Sequence, residues 1–289
     1  MKLTNINDIK ELLSRHGFHF SKSMGQNFLT AAWVPERIAE EAELDGGTGV
    51  LEVGPGIGCL TEQLSARAGK VVAVELDKAL RPVLKETLAG RDNVELVFGD
   101  VLKEDLPRLV SERLFGLRPV VCANLPYNVT SPLITAFLEA GCFDTVTVMI
   151  QREVARRICA KPGTADYGAF TVLVNWYAEA GILFDVPPEC FIPQPKVTSS
   201  VVHLKTREKP PVFVSDKDIF FRVVKAAFGM RRKTFTNALA AYFPEISKET
   251  AENILLENGF DGKIRGEVLS ISDFAKISDG ISNIVTKNL

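Results

Sequence analysis

Residues 49–77 read GVLEVGPGIGCLTEQLSARAGKVVAVELD. An apolar run through Val50, Leu51 and Val53 breaks into Gly54-Pro55-Gly56-Ile57-Gly58. A stretch with helical spacing follows, then a second β-branched run through Val71, Val72 and Val74 to Glu75. Short, continuous apolar runs bounded by glycine predict strands covered on both faces, and strand–helix–strand at this spacing predicts a βαβ unit. The crossover leaves both strands pointing the same way, so the unit commits its neighbours to a parallel sheet.

The alternation continues outward. NVELVFGD (93–100), PVVCAN (119–124) and DTVTVMIQ (144–151) predict further strands, with helical patterns such as KALRPVLKETLAG between them. The fold class is α/β with a doubly wound parallel sheet. AGILFDVP and SSVVHLK are close enough in sequence to form an antiparallel pair at its edge. Near residue 206 the composition shifts to TREKPPVFVSDKD, a linker with two prolines. Four helical patterns follow, so the expected division is a first domain over 1–206 and a small all-helical domain over 207–289.

Composition excludes several classes. The chain has 289 residues, 46% of them hydrophobic and 24% charged, and a net charge of −2, which gives no global sign of nucleic acid. Locally the balance differs: between Lys196 and Lys233 ten basic residues face three acidic ones, densest at Met230-Arg231-Arg232-Lys233. Arg152, Arg156, Arg157 and Lys161 form a second group. Both suit a phosphate-contacting surface. Five cysteines without a CxxC pair and three histidines argue against a zinc site and for a reducing compartment. The polar, amphipathic N-terminus has no signal-peptide core, and no apolar run approaches the roughly 20 residues needed to span a bilayer. A cytoplasmic protein is expected.

The chemistry gathers at the carboxyl ends of the strands, where open α/β sheets bind ligands. Gly54, Gly56 and Gly58 are spaced G-x-G-x-G, not G-x-G-x-x-G; they permit close backbone approach without calling for a pyrophosphate. A plain turn remains the alternative. Glu75 ends the second strand, where a carboxylate can accept both hydroxyls of a ribose; Asp77 competes for that role, and a solvated strand-end carboxylate is the other reading. Asp100 ends the third strand and suits the exocyclic amine of an adenine, since it only accepts. The fourth strand ends on Asn124-Leu125-Pro126-Tyr127-Asn128. Asn124 and the carbonyls beside Pro126 supply acceptors, and Tyr127 a face for stacking. That combination suits a second exocyclic amine, one held tetrahedral for attack on a methyl donor.

GQNFL (25–29), LEVGPGIGCLT (51–61), VELD (74–77), GD (99–100), NLPYN (124–128) and FIPQPKVTSSV (191–201), in this order, resemble the bacterial small-subunit ribosomal RNA adenine dimethyltransferase family. The similarity runs from about Ser23 to Leu204. It implies a class I, Rossmann-like methyltransferase domain using S-adenosyl-L-methionine, with residues 1–30 covering the cofactor. By this resemblance Asn27, Leu29, Gly56, Val101 and Asn124 touch the cofactor, Gly54 lines its methionine end, Glu75 the ribose and Asp100 the adenine, with Asn124 standing between the cofactor and the target amine. Asn124, Leu125 and Pro126 form the catalytic motif, and Tyr127 and Phe191 sandwich a flipped adenine. Phe191 as a core residue, and Phe28 and Leu29 as an apolar cap, are the alternatives. The implied substrate is a pair of adjacent adenosines in a hairpin near the 3′ end of small-subunit rRNA, each methylated twice, within a partly assembled small ribosomal subunit. The helical domain would dock rRNA; the enzyme would be monomeric, without metal or membrane. A large-subunit rRNA adenine methyltransferase of the antibiotic-resistance type and a non-catalytic ribosome-assembly factor are the competing readings. A dehydrogenase is disfavoured by the glycine spacing.

Overall fold

The structure, a computed structural model, describes residues 1–19 and 25–285; Ser23, where the sequence likeness begins, lies outside the described residues. The chain divides into two compact units, Met1–Ala155 with Ala180–Thr206, and Arg156–Glu179 with Arg207–Leu289.

The first unit opens with α1 (Ile6–Arg15), capped by the Asn5 side chain on the amides of Asn7 and Asp8. Next come β1 (Phe28–Leu29), α2 (Trp33–Glu41), β2 (Thr48–Val53), α3 (Cys59–Ser65), β3 (Lys70–Glu75), α4 (Arg81–Thr87), β4 (Val94–Phe98), α5 (Leu106–Arg113), β5 (Arg118–Asn124), α6 (Thr130–Ala140) and β6 (Thr145–Gln151). After α7 (Arg152–Ile158) and α8 (Ala169–Tyr177), the chain returns through β7 (Ala178–Val186), β8 (Phe191–Ile192) and β9 (Ser199–Thr206).

Seven strands form one sheet in the order β4-β3-β2-β5-β6-β9-β7. β2 pairs in parallel with β3 on one side and β5 on the other, with Leu51 opposite Val72 and Val121. β9 runs antiparallel to β6 and has β7 as its other neighbour. The continuous apolar runs follow from this layering: all six residues of β2 are buried, as both faces are covered. β4, at the edge, is only partly buried. The order reverses between β2 and β5, so the topological switch point, where such sheets open a crevice, lies beyond Val53 and Asn124.

Two local features depart from the sequence pattern. KALRPVLKETLAG is not one helix: Asp77 caps a 3₁₀ turn over Lys78–Leu80, and α4 starts only at Arg81. Pro82 suits that start, since the first turn has no use for its missing N–H. β1 and β8 pair as a separate two-residue ribbon, Phe28 opposite Ile192 and Leu29 opposite Phe191. Two residues carry no periodicity to read.

The second unit holds α9 (Lys217–Gly229), α10 (Phe235–Tyr242), α11 (Lys248–Glu257) and α12 (Ile271–Val285). Asp216 and Ser247 cap α9 and α11. The division after Thr206 falls where the composition shifts, but residues 156–179 also belong here, not to the 1–206 domain expected from sequence. The cause is apolar packing. Trp176 of α8 sits 4.6 Å from the Phe220 ring and 5.4 Å from Phe221, and the buried Tyr167 hydroxyl donates to Leu269 O at 2.8 Å.

Candidate active site

The carboxyl ends of β2, β3, β4 and β5 open on one cavity of about 220 Å³, where a single water needs only ~10–15 Å³. Asn27, Leu29, Gly54, Gly56, Glu75, Asp100, Val101, Asn124, Leu125, Pro126 and Tyr127 all line it.

Its floor is the glycine turn. Gly54, Gly56 and Gly58 have φ of 69, 59 and 89°, left-handed conformations that a side chain would strain. A Cβ on Gly56 would lie 3.1 Å from the Phe28 ring, so glycine also lets the segment 25–29 approach. That segment is fixed from several sides. Gln26 Nε2 donates to Asp77 Oδ2 at 2.8 Å, Thr30 N donates to Cys190 O at 2.8 Å, and β1 pairs with β8.

The two candidate ribose carboxylates separate cleanly. Glu75 is 6% exposed. Its Oε1 accepts from Asp77 N at 2.8 Å and its Oε2 from Gly56 N at 3.2 Å. Burial raises its pKa and these amides pull it back. Each oxygen keeps a lone pair for a ligand hydroxyl. Asp77 takes Ala79 N on Oδ1 and Gln26 on Oδ2, and does not line the cavity. Asp100 accepts from Leu102 N at 3.1 Å, capping the 3₁₀ turn Val101–Lys103 at the cavity edge.

Asn124 is anchored by its amide nitrogen, which donates to Asn27 O at 3.3 Å and leaves Oδ1 as an acceptor. Leu125 N donates to Met149 O at 3.1 Å, holding the loop against the end of β6. The Pro126 carbonyl is already used, by Val129 N at 3.3 Å and Thr130 Oγ1 at 3.1 Å. Beside Asn124, the Leu125 carbonyl accepts no backbone hydrogen bond among the described residues. Tyr127 is half-buried, and its hydroxyl lies 2.5 Å from Ser199 Oγ. Phe191 is different: it is 4% exposed, packs in the core with Leu29 and Val201, and does not line the cavity. In β8 it stands opposite Leu29, which does line the cavity.

Several lining residues escaped the sequence reading. Gln26 and Phe28 sit inside GQNFL, and Leu76 and Leu102 each follow a residue that was read. The two leucines are 52% and 42% exposed, apolar edges beside Glu75 and Asp100. Glu52, 1% exposed, is the more unusual. Among the described residues, neither its Oε2 nor the Thr61 hydroxyl, both buried, has a hydrogen-bond partner. Desolvation pushes the Glu52 carboxyl up to about 8, helped by the charge of Glu75 and opposed by the nearby Thr61 hydroxyl. Cys59 also lines the cavity, but burial pushes its thiol up to about 12, so it packs and does not attack.

The basic segments are narrower than charge counting suggests. Arg207 pairs with Glu179 at 2.8 Å, Arg222 with Glu245 at 3.0 Å and Arg231 with Glu267 at 3.1 Å. Arg152 lies 3.8 Å from Asp185. Arg156, Arg157, Lys161, Lys225, Arg232 and Lys233 are exposed and, among the described residues, free of ion pairs.

Known proteins share this architecture. The chain is 46% identical over 282 residues to ribosomal RNA small subunit methyltransferase A of Geobacillus kaustophilus, covering 96% of each. It is 43% identical over 286 residues to the protein of that name from Clostridioides difficile, covering 99% of each. Among solved structures, the 23S rRNA methyltransferase ErmE superposes with a TM-score of 0.66 at 28% identity, over 89% of this chain and all of that one. A dimethyladenosine transferase from Plasmodium falciparum gives 0.75 at 24% identity over 90% and 98%, a likeness of fold. The sequence profile of the ribosomal RNA adenine dimethylases matches residues 17–276, and with it the chain belongs to that family.

Proposed function

We infer that this chain dimethylates adenine in small-subunit ribosomal RNA, with S-adenosylmethionine as methyl donor. The observation that carries the reading is the Asn124 amide: tied through Nδ2 to the segment 25–29, it presents Oδ1 beside the Leu125 carbonyl as a pair of acceptors for an exocyclic amine. The cavity fits the cofactor. Gly54 and Gly56 allow backbone contact, and Glu52 Oε2, buried with no partner among the described residues, leaves a polar atom for the amine of the methionine end. Glu75 then takes the ribose hydroxyls, while Asp100, Val101, Leu76 and Leu102 hold the adenine. Asn27 and Leu29 cover the bound cofactor.

S-adenosylmethionine supplies an electrophilic methyl on a sulfonium. Asn124 Oδ1 and the Leu125 carbonyl draw the two amine hydrogens toward themselves, which frees the nitrogen lone pair from the ring. Pro126 fixes the turn between these acceptors and Tyr127, whose face receives the base. The amine would take the methyl as the S–CH3 bond breaks and S-adenosylhomocysteine is left, and would lose its proton to water only once cationic, so positioning would provide most of the acceleration. Phe191, buried opposite Leu29 in the β1–β8 ribbon, would complete the sandwich from the other face. The target base must leave its stack, at a cost of a few kcal/mol, which favours an adenosine in a hairpin loop. Two adjacent adenosines near the 3′ end of small-subunit rRNA, in a partly assembled subunit, are the target we propose, met by a cytoplasmic monomer. Exposed Arg156, Arg157, Lys225, Arg232 and Lys233 would contact rRNA phosphates. Near-full-length identity of 43–46% to small-subunit enzymes, against 28% to a 23S enzyme, favours this substrate over large-subunit rRNA.

The test is nucleoside mass spectrometry after mixing protein, S-adenosylmethionine and small subunits lacking the modification, with large subunits in parallel. Dimethyladenosine from the small subunit alone is expected. Dimethyladenosine from the large subunit, or none from either, would overturn the reading.

A further inference from the structure

Tyr127 is read as a stacking platform, and for stacking alone its hydroxyl is unnecessary: phenylalanine offers the same face without a polar group to satisfy. A half-buried phenol costs stability unless it is hydrogen-bonded. Here it is bonded, 2.5 Å from the Ser199 hydroxyl, 72 residues along the chain. Ser199 is fully buried and stands at the first position of β9, opposite Gln151 of β6. The adjacent Thr198 O accepts from Arg152 N at 3.0 Å, so the backbone carrying the serine is held against the end of β6. The same strand, β6, holds the other end of the loop through Met149 O and Leu125 N. Tyr127 itself lies on a single 3₁₀ turn, Tyr127–Val129, which has no buried residue of its own to fix it.

We propose that Ser199 is a positioning residue for methyl transfer, holding the Tyr127 ring by its hydroxyl so that the ring faces the incoming adenine at the Asn124 acceptors. The proposal rests on the reading of Tyr127 given above. Ser199 touches neither cofactor nor base. Without it the ring keeps its chemistry but gains rotational freedom about χ1 and χ2, and the base loses a fixed platform.

The test is a double-mutant cycle on the full-length protein, with unmodified small ribosomal subunits as substrate. Ser199→Ala and Tyr127→Phe are each expected to lower kcat about tenfold, the scale of one lost hydrogen bond, while the S-adenosylmethionine Kd from calorimetry stays within twofold. The double variant should be no slower than either single one, because both remove the same bond. Losses that multiply, a Ser199→Ala enzyme as fast as wild type, or a Ser199→Ala loss shared by cofactor affinity and melting temperature would each overturn the proposal. Absence of methylation by the wild-type protein would instead overturn the functional reading on which it rests.

Discussion

Glu52 carries the sharpest electrostatic consequence at the level of a single side chain. Its carboxyl titrates at about 8 in the folded protein, against an ordinary 4.5. Between those values the folded state holds a proton that the unfolded chain has released, so stability falls as pH rises through the window. The full loss is on the order of 5 kcal/mol above pH 8. Glu52→Gln removes the titration and keeps the shape. Its melting temperature should match wild type near pH 5 and exceed it clearly at pH 8.5, by differential scanning calorimetry without cofactor. Parallel curves would show that Glu52 ionises normally. Asn124 makes the opposite kind of claim, about turnover. Asn124→Ala removes an acceptor aimed at the reacting amine, and kcat should fall about 10²–10³-fold, as for loss of a transition-state hydrogen bond. On the cofactor side the substitution removes only the internal tie from Asn124 Nδ2 to Asn27 O, about 1 kcal/mol, so the cofactor Kd should rise by less than about tenfold. Residual methylation above a tenth of wild type would remove Asn124 from the centre of the mechanism.

The glycine turn, the segment 25–29 and the β1–β8 ribbon act together as elements. Gly56→Ala tests their fit: the new Cβ meets the Phe28 ring at 3.1 Å, at a backbone φ of 59° that costs ~1–2 kcal/mol for a side chain. The cofactor Kd should rise at least about tenfold as the segment is displaced, measured by calorimetry. An unchanged Kd would mean that the segment does not shape the cofactor site. These elements also mark the limit of what the chain discloses. The strands and the glycine turn were legible because their signals are local: β-branched runs, a glycine spacing, a carboxylate at a strand end. The residue pattern alone left Glu75 and Asp77 competing, and only the resemblance separated them, because what sets them apart in the structure is Gln26, fifty-one residues away, occupying Asp77. The burial of Phe191 was left open as well, between a base-stacking ring and a core residue. A motif shows that an aromatic ring stands at a position; only packing shows which way it faces.

The whole molecule turns on where one unit ends. Composition placed a boundary at 206, because a proline-bearing, charged segment is a strong local mark, but residues 156–179 join the second unit by burial. In that unit Tyr167 and Trp176 are 3% and 4% exposed, packed among Phe220, Phe228 and Leu239 in one apolar core. A chain ending at Thr206 keeps both aromatic residues and loses the Phe220, Phe228 and Leu239 side chains packed with them. Each aromatic side chain buries ~150–250 Å², so with Val172 the bared patch approaches or exceeds the ~300–600 Å² of the largest patch on a typical monomer. The shortened chain should therefore bind a hydrophobic dye such as anilinonaphthalene sulfonate, be cut by trypsin near Arg156, Arg157 and Lys161, and aggregate. Were 1–206 a self-sufficient domain, the same chain would be monomeric, dye-silent and resistant to trypsin at those sites, and the assignment of 156–179 to the helical unit would fail.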